Sequence, residues 1–154
     1  MIEIRHRFLA AERTNKLAGM ELALDATDEE ILGAVEVWID DLARGDYAAA
    51  FARTRHDPYY QWTPHGIESV IHGYGLPEPH PSGVRFVVTA RDQAHTRGRP
   101  FHRVVDRDVV RESAVAEVWY DLPLNGQWSD LTATFRLERD GARLHLVLQQ
   151  IHVF

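Results

Sequence analysis

The feature that most constrains this chain is the alternation of apolar and polar residues from position 114 to position 154. A period of two residues is typical of β-strands that bury one face. Two turn signals, Asn125-Gly126 and Asp140-Gly141, divide this segment, because both dipeptides favour tight hairpins. We therefore predict an antiparallel meander whose strands cover residues 115–122, 128–139 and 144–154.

Along one face of the last of these strands, apolar residues are followed by polar ones. Leu144, Leu146 and Leu148 alternate onto the same side, and Gln150 and His152 continue that side. Such a change is typical of a strand that leaves a packed core and enters the wall of a pocket. We expect Gln150 to contact a ligand there and His152 to act as an acid or base, because histidine titrates near neutral pH. The alternative is a structural histidine, which is the commoner role of a single histidine near a core.

The first half of the chain carries helical patterns instead. Thr27 and Glu30 form a capping box, in which the two side chains satisfy free amides at the start of a helix. Asp46 is a suitable cap for a second helix. Thr63-Pro64 suits the start of a third, since threonine caps well and proline fits the first turn. The predicted helices cover residues 27–44, 46–55 and 63–74.

Three further segments are predicted to be strands. An aromatic run at 59–62 precedes the third helix, and the period of two residues returns after a loop at 76–83 that contains three prolines. The predicted strands outside the meander cover residues 59–62, 85–92 and 101–111.

The composition fits one globular domain over residues 1–154 and limits its function. The chain has no cysteine, which excludes disulfides, thiolate zinc sites and cysteine nucleophiles. Its net charge of −6 argues against nucleic-acid binding, because that needs a clustered positive surface. Residues 1–25 fit either a strand or a helix. We prefer the helix and treat this stretch as an N-terminal extension.

Charged side chains such as Arg5, Arg7 and Lys16 interrupt the apolar residues near the start of the sequence. We therefore expect neither a signal peptide nor a membrane span, and we expect a cytoplasmic protein.

The nine histidines raise the question of a metal site. His65 and His72 are about two helical turns apart, roughly 10 Å, which is too far to share one ion. We expect no metal and no other cofactor.

The join between the first two predicted helices resembles a known family. A long amphipathic helix passes through Gly45-Asp46-Tyr47 into a short alanine-rich helix. Together with the order of elements over residues 27–154, this join resembles the nuclear transport factor 2-like superfamily, in particular its SnoaL-like and ketosteroid-isomerase-like branches. The resemblance implies an α+β fold of the cystatin-like type. In it, a cone-shaped, curved, mixed or antiparallel sheet wraps around three N-terminal helices and encloses an apolar cavity.

A cavity of this kind would be lined by aromatic side chains and would suit a small apolar or aromatic molecule. Tyr120 lies on the predicted inner face of its strand and is the first candidate to assist His152 in proton transfer. Asp92 shares a strand face with apolar residues and is the second, although a solvated aspartate at a strand end is the commoner case. The predicted ligand-binding residues are Trp38, Tyr59, Tyr60, Trp62, Phe86, Phe135 and Gln150.

Alternation places Trp119, Thr134 and Arg136 on the opposite, outer face of the meander. A tryptophan on a polar face is either exposed by chance or anchors an interface. Cones of the family that this chain resembles commonly pair through this face. We therefore expect a homodimer through the outer sheet, with chance exposure of the tryptophan as the alternative.

Three functions are open at this point. The first is small-molecule binding in an aromatic pocket inside the cone. The second is a cofactor-independent isomerase, dehydratase or hydrolase that uses His152 as its acid or base. The third is a non-catalytic module that binds another protein through the outer sheet. The volume of the cavity and the residues that line it distinguish the three.

Overall fold

The residues that the structure describes form three helices and six strands. The structure is a computed structural model, and it describes residues 21–95, 100–108 and 114–154. The helices are α1 (Asp28–Ala43), α2 (Tyr47–Arg53) and α3 (Pro64–His72). The strands are β1 (Glu21–Ala23), β2 (Arg55–His56), β3 (Arg103–Asp106), β4 (Ala114–Leu124), β5 (Gln127–Asp140) and β6 (Arg143–Val153).

The strands form one curled sheet in the order β1-β6-β5-β4-β3, with antiparallel neighbours throughout. The two-residue strand β2 is added parallel to β6. Because β4, β5 and β6 are long and joined by tight turns, they form the centre of the sheet, which curls as a half-barrel. The prediction of an α+β fold with three helices and a curved, largely antiparallel sheet is confirmed.

Local capping explains where the helices begin. The Thr27 hydroxyl accepts a hydrogen bond from the backbone of Glu30 at 3.2 Å, and the Glu30 carboxylate accepts one from the backbone of Thr27 at 3.1 Å. Asp46 caps α2 through the amide of Ala49 at 3.0 Å. Thr63 caps α3 in the same way. All three predicted helix starts are confirmed.

The two predicted hairpin turns are also present. Asn125 and Gly126 have φ angles of 49° and 82°, the left-handed pair that a two-residue turn between antiparallel strands needs. Gly141 has a φ of 60° and joins β5 to β6. These short turns set which residues of β4, β5 and β6 face each other.

The core lies between the inner faces of β4, β5 and β6 and the apolar stripe of α1. Trp38 of α1 and Phe135 of β5 meet edge to face, with ring centroids 5.1 Å apart, and neither side chain is exposed. The other large side chains of this core are Tyr120, Ile31, Ile39, Leu42, Ile67, Ile71, Leu122, Leu131, Leu137 and Leu146.

The predicted strand at 85–92 is wrong. Val88 forms a single bridge with Leu124, and a 3₁₀ turn follows at Arg91–Gln93. The amide of Thr89 donates to the carbonyl of Pro123 at 2.9 Å, but Pro123 has no N–H to return. A ladder therefore cannot extend along the end of β4.

The predicted strand at 59–62 is also wrong, because this segment is a turn. The Asp57 carboxylate accepts a hydrogen bond from the amide of Tyr59 at 2.9 Å, which bends the chain before the aromatic run. Strand pairing occurs just before it, in β2. The predicted strand at 101–111 is shortened to β3, and residues 109–111 lie outside the described part of the chain.

Glu21–Ala23 form the short strand β1 rather than part of the helix that we preferred for residues 1–25. The rest of that prediction, for residues 1–20, lies outside the described residues.

Across the described ranges, no helix is both long enough and apolar enough to cross a membrane.

Candidate functional site

A bulge in β6 decides which side chains of this strand face the core. Leu148 pairs with Phe135 and Gln150 pairs with Thr134, so Gln149 has no partner on β5. One extra residue reverses the alternation of a strand. Leu148 and Ile151 therefore both face the core and are at most 3% exposed.

The predicted orientation of His152 and Gln150 is consequently wrong. Beyond the bulge these two side chains no longer share a face with the leucines. His152 pairs with Thr132 on the outer side of the sheet and is exposed. Gln150 is partly exposed.

The three predicted catalytic residues lie in separate environments. Tyr120 is on the inner face of β4 and only 1% exposed, as predicted. Asp92 is exposed within the 3₁₀ turn, so the alternative of a solvated aspartate is the correct one. His152 is on the opposite side of the sheet from Tyr120. The structure does not bring the three together.

Tyr120 belongs to a charged network at the edge of the core. Its hydroxyl donates to the Glu36 carboxylate, which also accepts a hydrogen bond from Arg103 at 3.2 Å. Arg91 approaches the same carboxylate at 3.5 Å. Burial, and then the hydrogen bond to Glu36, raise the pKa of Tyr120 to about 12. At neutral pH this hydroxyl is a hydrogen-bond donor and not a base.

The aromatic residues expected inside the cone divide into two groups. Trp38 and Phe135 pack against each other in the core, whereas Phe86 lies at its rim with its ring centroid 4.7 Å from that of Tyr74. The indole N–H of Trp38 is buried without a hydrogen-bond partner in the described part of the structure. The interior pocket stays a prediction.

A groove outside this core brings the second group together. It lies between the turn at 59–62, helix α3 and the end of β6, and it has a volume of about 480 Å³. Four predicted site residues line it, namely Tyr60, Trp62, Gln150 and His152. We call it the α3 groove. Its other lining residues are Gln61, His65, Gly66, Ser69, Val70, Gly75, Pro77 and Ile151.

The bulge that turns His152 outward also fixes one wall of the α3 groove. Trp62 donates its indole N–H to the carbonyl of Gln149, the bulged residue, at 2.8 Å. Tyr60 lies beside it, with the two ring centroids 6.4 Å apart. Tyr59 is 83% exposed and does not line the groove. The wall is therefore a pair of aromatic rings anchored to the sheet.

Two further polar residues of the groove come from α3. His65 and Ser69 are one helical turn apart, and the His65 Nε2 lies 3.4 Å from the Ser69 hydroxyl. Sequence reasoning considered His65 only as a metal ligand and did not single out Ser69. The signal was their i, i+4 spacing on a helix that follows the aromatic run.

The turns beside the groove hold unusual backbone conformations. Gln61 and Tyr74 have φ angles of 50° and 52°, in the left-handed region that non-glycine residues rarely adopt. Such conformations are costly and concentrate at binding and catalytic sites. Gly75 has a φ of 94°, and a Cβ there would lie 3.3 Å from Leu131. This glycine allows the loop to approach β5 and β6 closely.

The chain matches no protein-family model, no curated protein and no solved structure. Within residues 21–95, 100–108 and 114–154, no group of three histidine, aspartate or glutamate side chains is arranged to hold a metal ion.

The residues predicted to form a dimer interface lie on the outer face. Trp119 donates its indole N–H to Glu117 at 2.7 Å, and its ring centroid is 4.6 Å from that of Phe154. Thr134 is only 2% exposed and offers little surface. Arg136 is paired with the carboxylates of Asp57 and Glu138. Dimerisation through this face stays a prediction.

Proposed function

We propose that this protein binds a small molecule with a planar ring in the α3 groove. The observation that carries the proposal is the convergence of Tyr60, Trp62, Gln150 and His152 on one concave surface of about 480 Å³. Sites for small molecules typically have volumes of roughly 300–1,000 Å³ and combine aromatic walls with a few polar groups.

The lining residues indicate the class of ligand. Tyr60 and Trp62 offer aromatic rings against which a planar ring can pack. His65 and Ser69 on one side and Gln150 on the other supply hydrogen-bonding groups. The ligand that fits this arrangement is an aromatic or apolar ring with at least one hydrogen-bonding substituent.

We assign the fold to the nuclear transport factor 2-like cone on the strength of the Gly45-Asp46-Tyr47 join and the order of the elements. In this assignment the α3 groove lies beside the cone and not inside it. Trp38 and Phe135 pack against each other in the interior of the cone. Binding is favoured over proton-transfer catalysis, since the hydroxyl of Tyr120 stays protonated and Asp92 is exposed.

The test uses 2-naphthol as a planar probe with one hydroxyl group and measures its binding by fluorescence. Tyr60→Ala is expected to weaken binding about three- to ten-fold, which corresponds to the loss of one aromatic contact. Tyr59→Ala is the matched control, because Tyr59 is the neighbouring tyrosine and lies outside the groove. Equal losses in the two variants, or wild-type binding in Tyr60→Ala, would contradict the proposal.

A further inference from the structure

A histidine and an aspartate form a dyad on the outer face of the sheet, away from the α3 groove. His102 immediately precedes β3, and Asp121 lies opposite it on β4. The Nδ1 of His102 lies 3.0 Å from Oδ1 of Asp121. The backbone amide of His102 donates to Oδ2 of the same carboxylate at 2.8 Å, and the amide of Asp121 donates to the carbonyl of His102 at 2.9 Å.

The Asp121 carboxylate is 1% exposed and well supplied with hydrogen bonds. Besides the two from His102, it accepts one from the Thr132 hydroxyl at 2.6 Å. Because an ionised carboxylate can only accept, the Nδ1 of His102 carries the proton in the neutral ring. Its Nε2 then holds a free lone pair.

The free nitrogen of His102 is accessible. The side chain of His102 is 33% exposed, and its Nε2 has no hydrogen-bond partner among the described residues. The ring lies between those of Phe101 and Trp119, with centroids 4.8 Å and 5.6 Å away. Its orientation is therefore fixed by both the carboxylate and the neighbouring rings.

His102 opens onto a depression of about 580 Å³ that carries excess negative charge. Asp106 and Asp108 line it, and neither forms an ion pair with any described side chain. Among the described residues of the lining, Arg107 is the single cation, and it is already paired with Asp28 at 2.8 Å. With Trp119 also in the lining, the depression has the features that attract an organic cation, namely carboxylates and an aromatic face.

We propose that His102, oriented by Asp121, is the general base of a second site that hydrolyses small carboxylic esters bearing a positively charged amine. Nε2 takes a proton from water while the water oxygen forms a bond to the carbonyl carbon of the ester. The tetrahedral intermediate collapses with cleavage of the bond to the alcohol oxygen. The imidazolium returns its proton to that oxygen, which releases the alcohol and the carboxylic acid. Asp121 acts as a positioning residue that holds the imidazole ring.

The test measures acid release from acetylcholine in a pH-stat with the full chain. We expect turnover by the wild-type protein and a loss of about 100-fold or more in His102→Gln. His95→Gln is the matched control, because His95 is an exposed histidine outside the depression. Acid release no faster than in buffer, or equal rates in wild type and His102→Gln, would overturn the proposal.

Two further measurements separate the dyad from a merely structural role. Asp106→Asn is expected to raise KM for acetylcholine about two- to five-fold with kcat unchanged, and to leave KM for the neutral isostere 3,3-dimethylbutyl acetate unaltered. Nitrogen NMR of the wild-type protein is expected to show the Nδ1–H tautomer of His102. The Nε2–H tautomer, or equal KM changes for the two esters, would refute the assignment. Neither result depends on naphthol binding in the α3 groove.

Discussion

At the scale of single residues, Tyr120 shows how surroundings set the chemistry of a side chain. Its position in a strand with an apolar inner face made it a candidate for proton transfer. In the structure the hydroxyl is buried and donates to the Glu36 carboxylate. Both features favour the neutral phenol, which is why the pKa of Tyr120 rises to about 12. The group stabilises the fold instead of accepting protons.

This shift predicts a specific weakness at high pH. The ordinary pKa of tyrosine is 10.0 and that of folded Tyr120 is about 12, so the unfolded chain releases this proton first. The contribution to stability is complete below pH 10 and is lost as the pH rises through 12. We expect Tyr120→Phe to have a shallower fall in the free energy of unfolding over this interval than the wild type. Urea denaturation at a series of pH values measures it, and identical slopes would refute the prediction.

At the scale of secondary-structure elements, the bulge in β6 has the largest consequences. It places Ile151 in the core, turns His152 to the outer face and leaves the carbonyl of Gln149 free to accept from Trp62. One unpaired residue thus completes the core and anchors the aromatic wall of the groove. Alternation alone could not reveal it, because the residues before and after the bulge continue a regular pattern.

Deletion of Gln149 is expected to remove the bulge without reversing the faces of β6. Leu148 and Ile151 would still face the core, because Gln150 would then be the single residue between them. Deletion of Val147 removes a residue from the regular part of the strand, so Leu148 would leave the core and Gln149 would enter it. We expect this deletion to lower the free energy of unfolding by about 2–5 kcal/mol, the usual cost of losing a large aliphatic side chain from a core, and deletion of Gln149 to cost clearly less. Chemical denaturation compares the two variants, and equal costs would argue against the bulge.

At the scale of the whole molecule, the curled sheet packs on α1 through a continuous apolar core. Trp38 and Phe135 pack at the centre, and the concave surfaces of the described chain include the α3 groove and the depression beside His102. The α3 groove lies outside the packed pair of Trp38 and Phe135, whereas the family resemblance implied an interior pocket, which stays a prediction.

The state of the interior can be tested through Phe135. If this ring is part of a packed core, Phe135→Ala should lower the free energy of unfolding by about 3–5 kcal/mol. Phe86→Ala, which removes the same side chain at the rim of the core, should cost clearly less. Guanidinium denaturation of both variants gives the comparison. Equal costs would indicate that Phe135 lines an open cavity, as first expected.

Most elements of the fold could be predicted, because their signals are local. The capping box at Thr27, the caps at Asp46 and Thr63, and the Asn125-Gly126 turn each act within a few residues, and all are present in the structure. The strand expected at 59–62 is replaced by a turn that the Asp57 side chain stabilises locally, through its hydrogen bond from the amide of Tyr59. The strand expected at 85–92 failed for a non-local reason, because the edge available to it ends at Pro123, which has no N–H to donate.

The candidate sites also combine features that local sequence signals predict with features that depend on tertiary contacts. The sequence by itself determined the helix caps, the hairpin turns and the apolar faces of the meander, since each depends on neighbours in the chain. Only the tertiary structure decided that Tyr60 and Trp62 meet Gln150 and His152 in one groove, and that His102 meets Asp121 across two strands. These contacts depend on strand register, and a single unpaired residue changes register without leaving a mark in the pattern of the sequence.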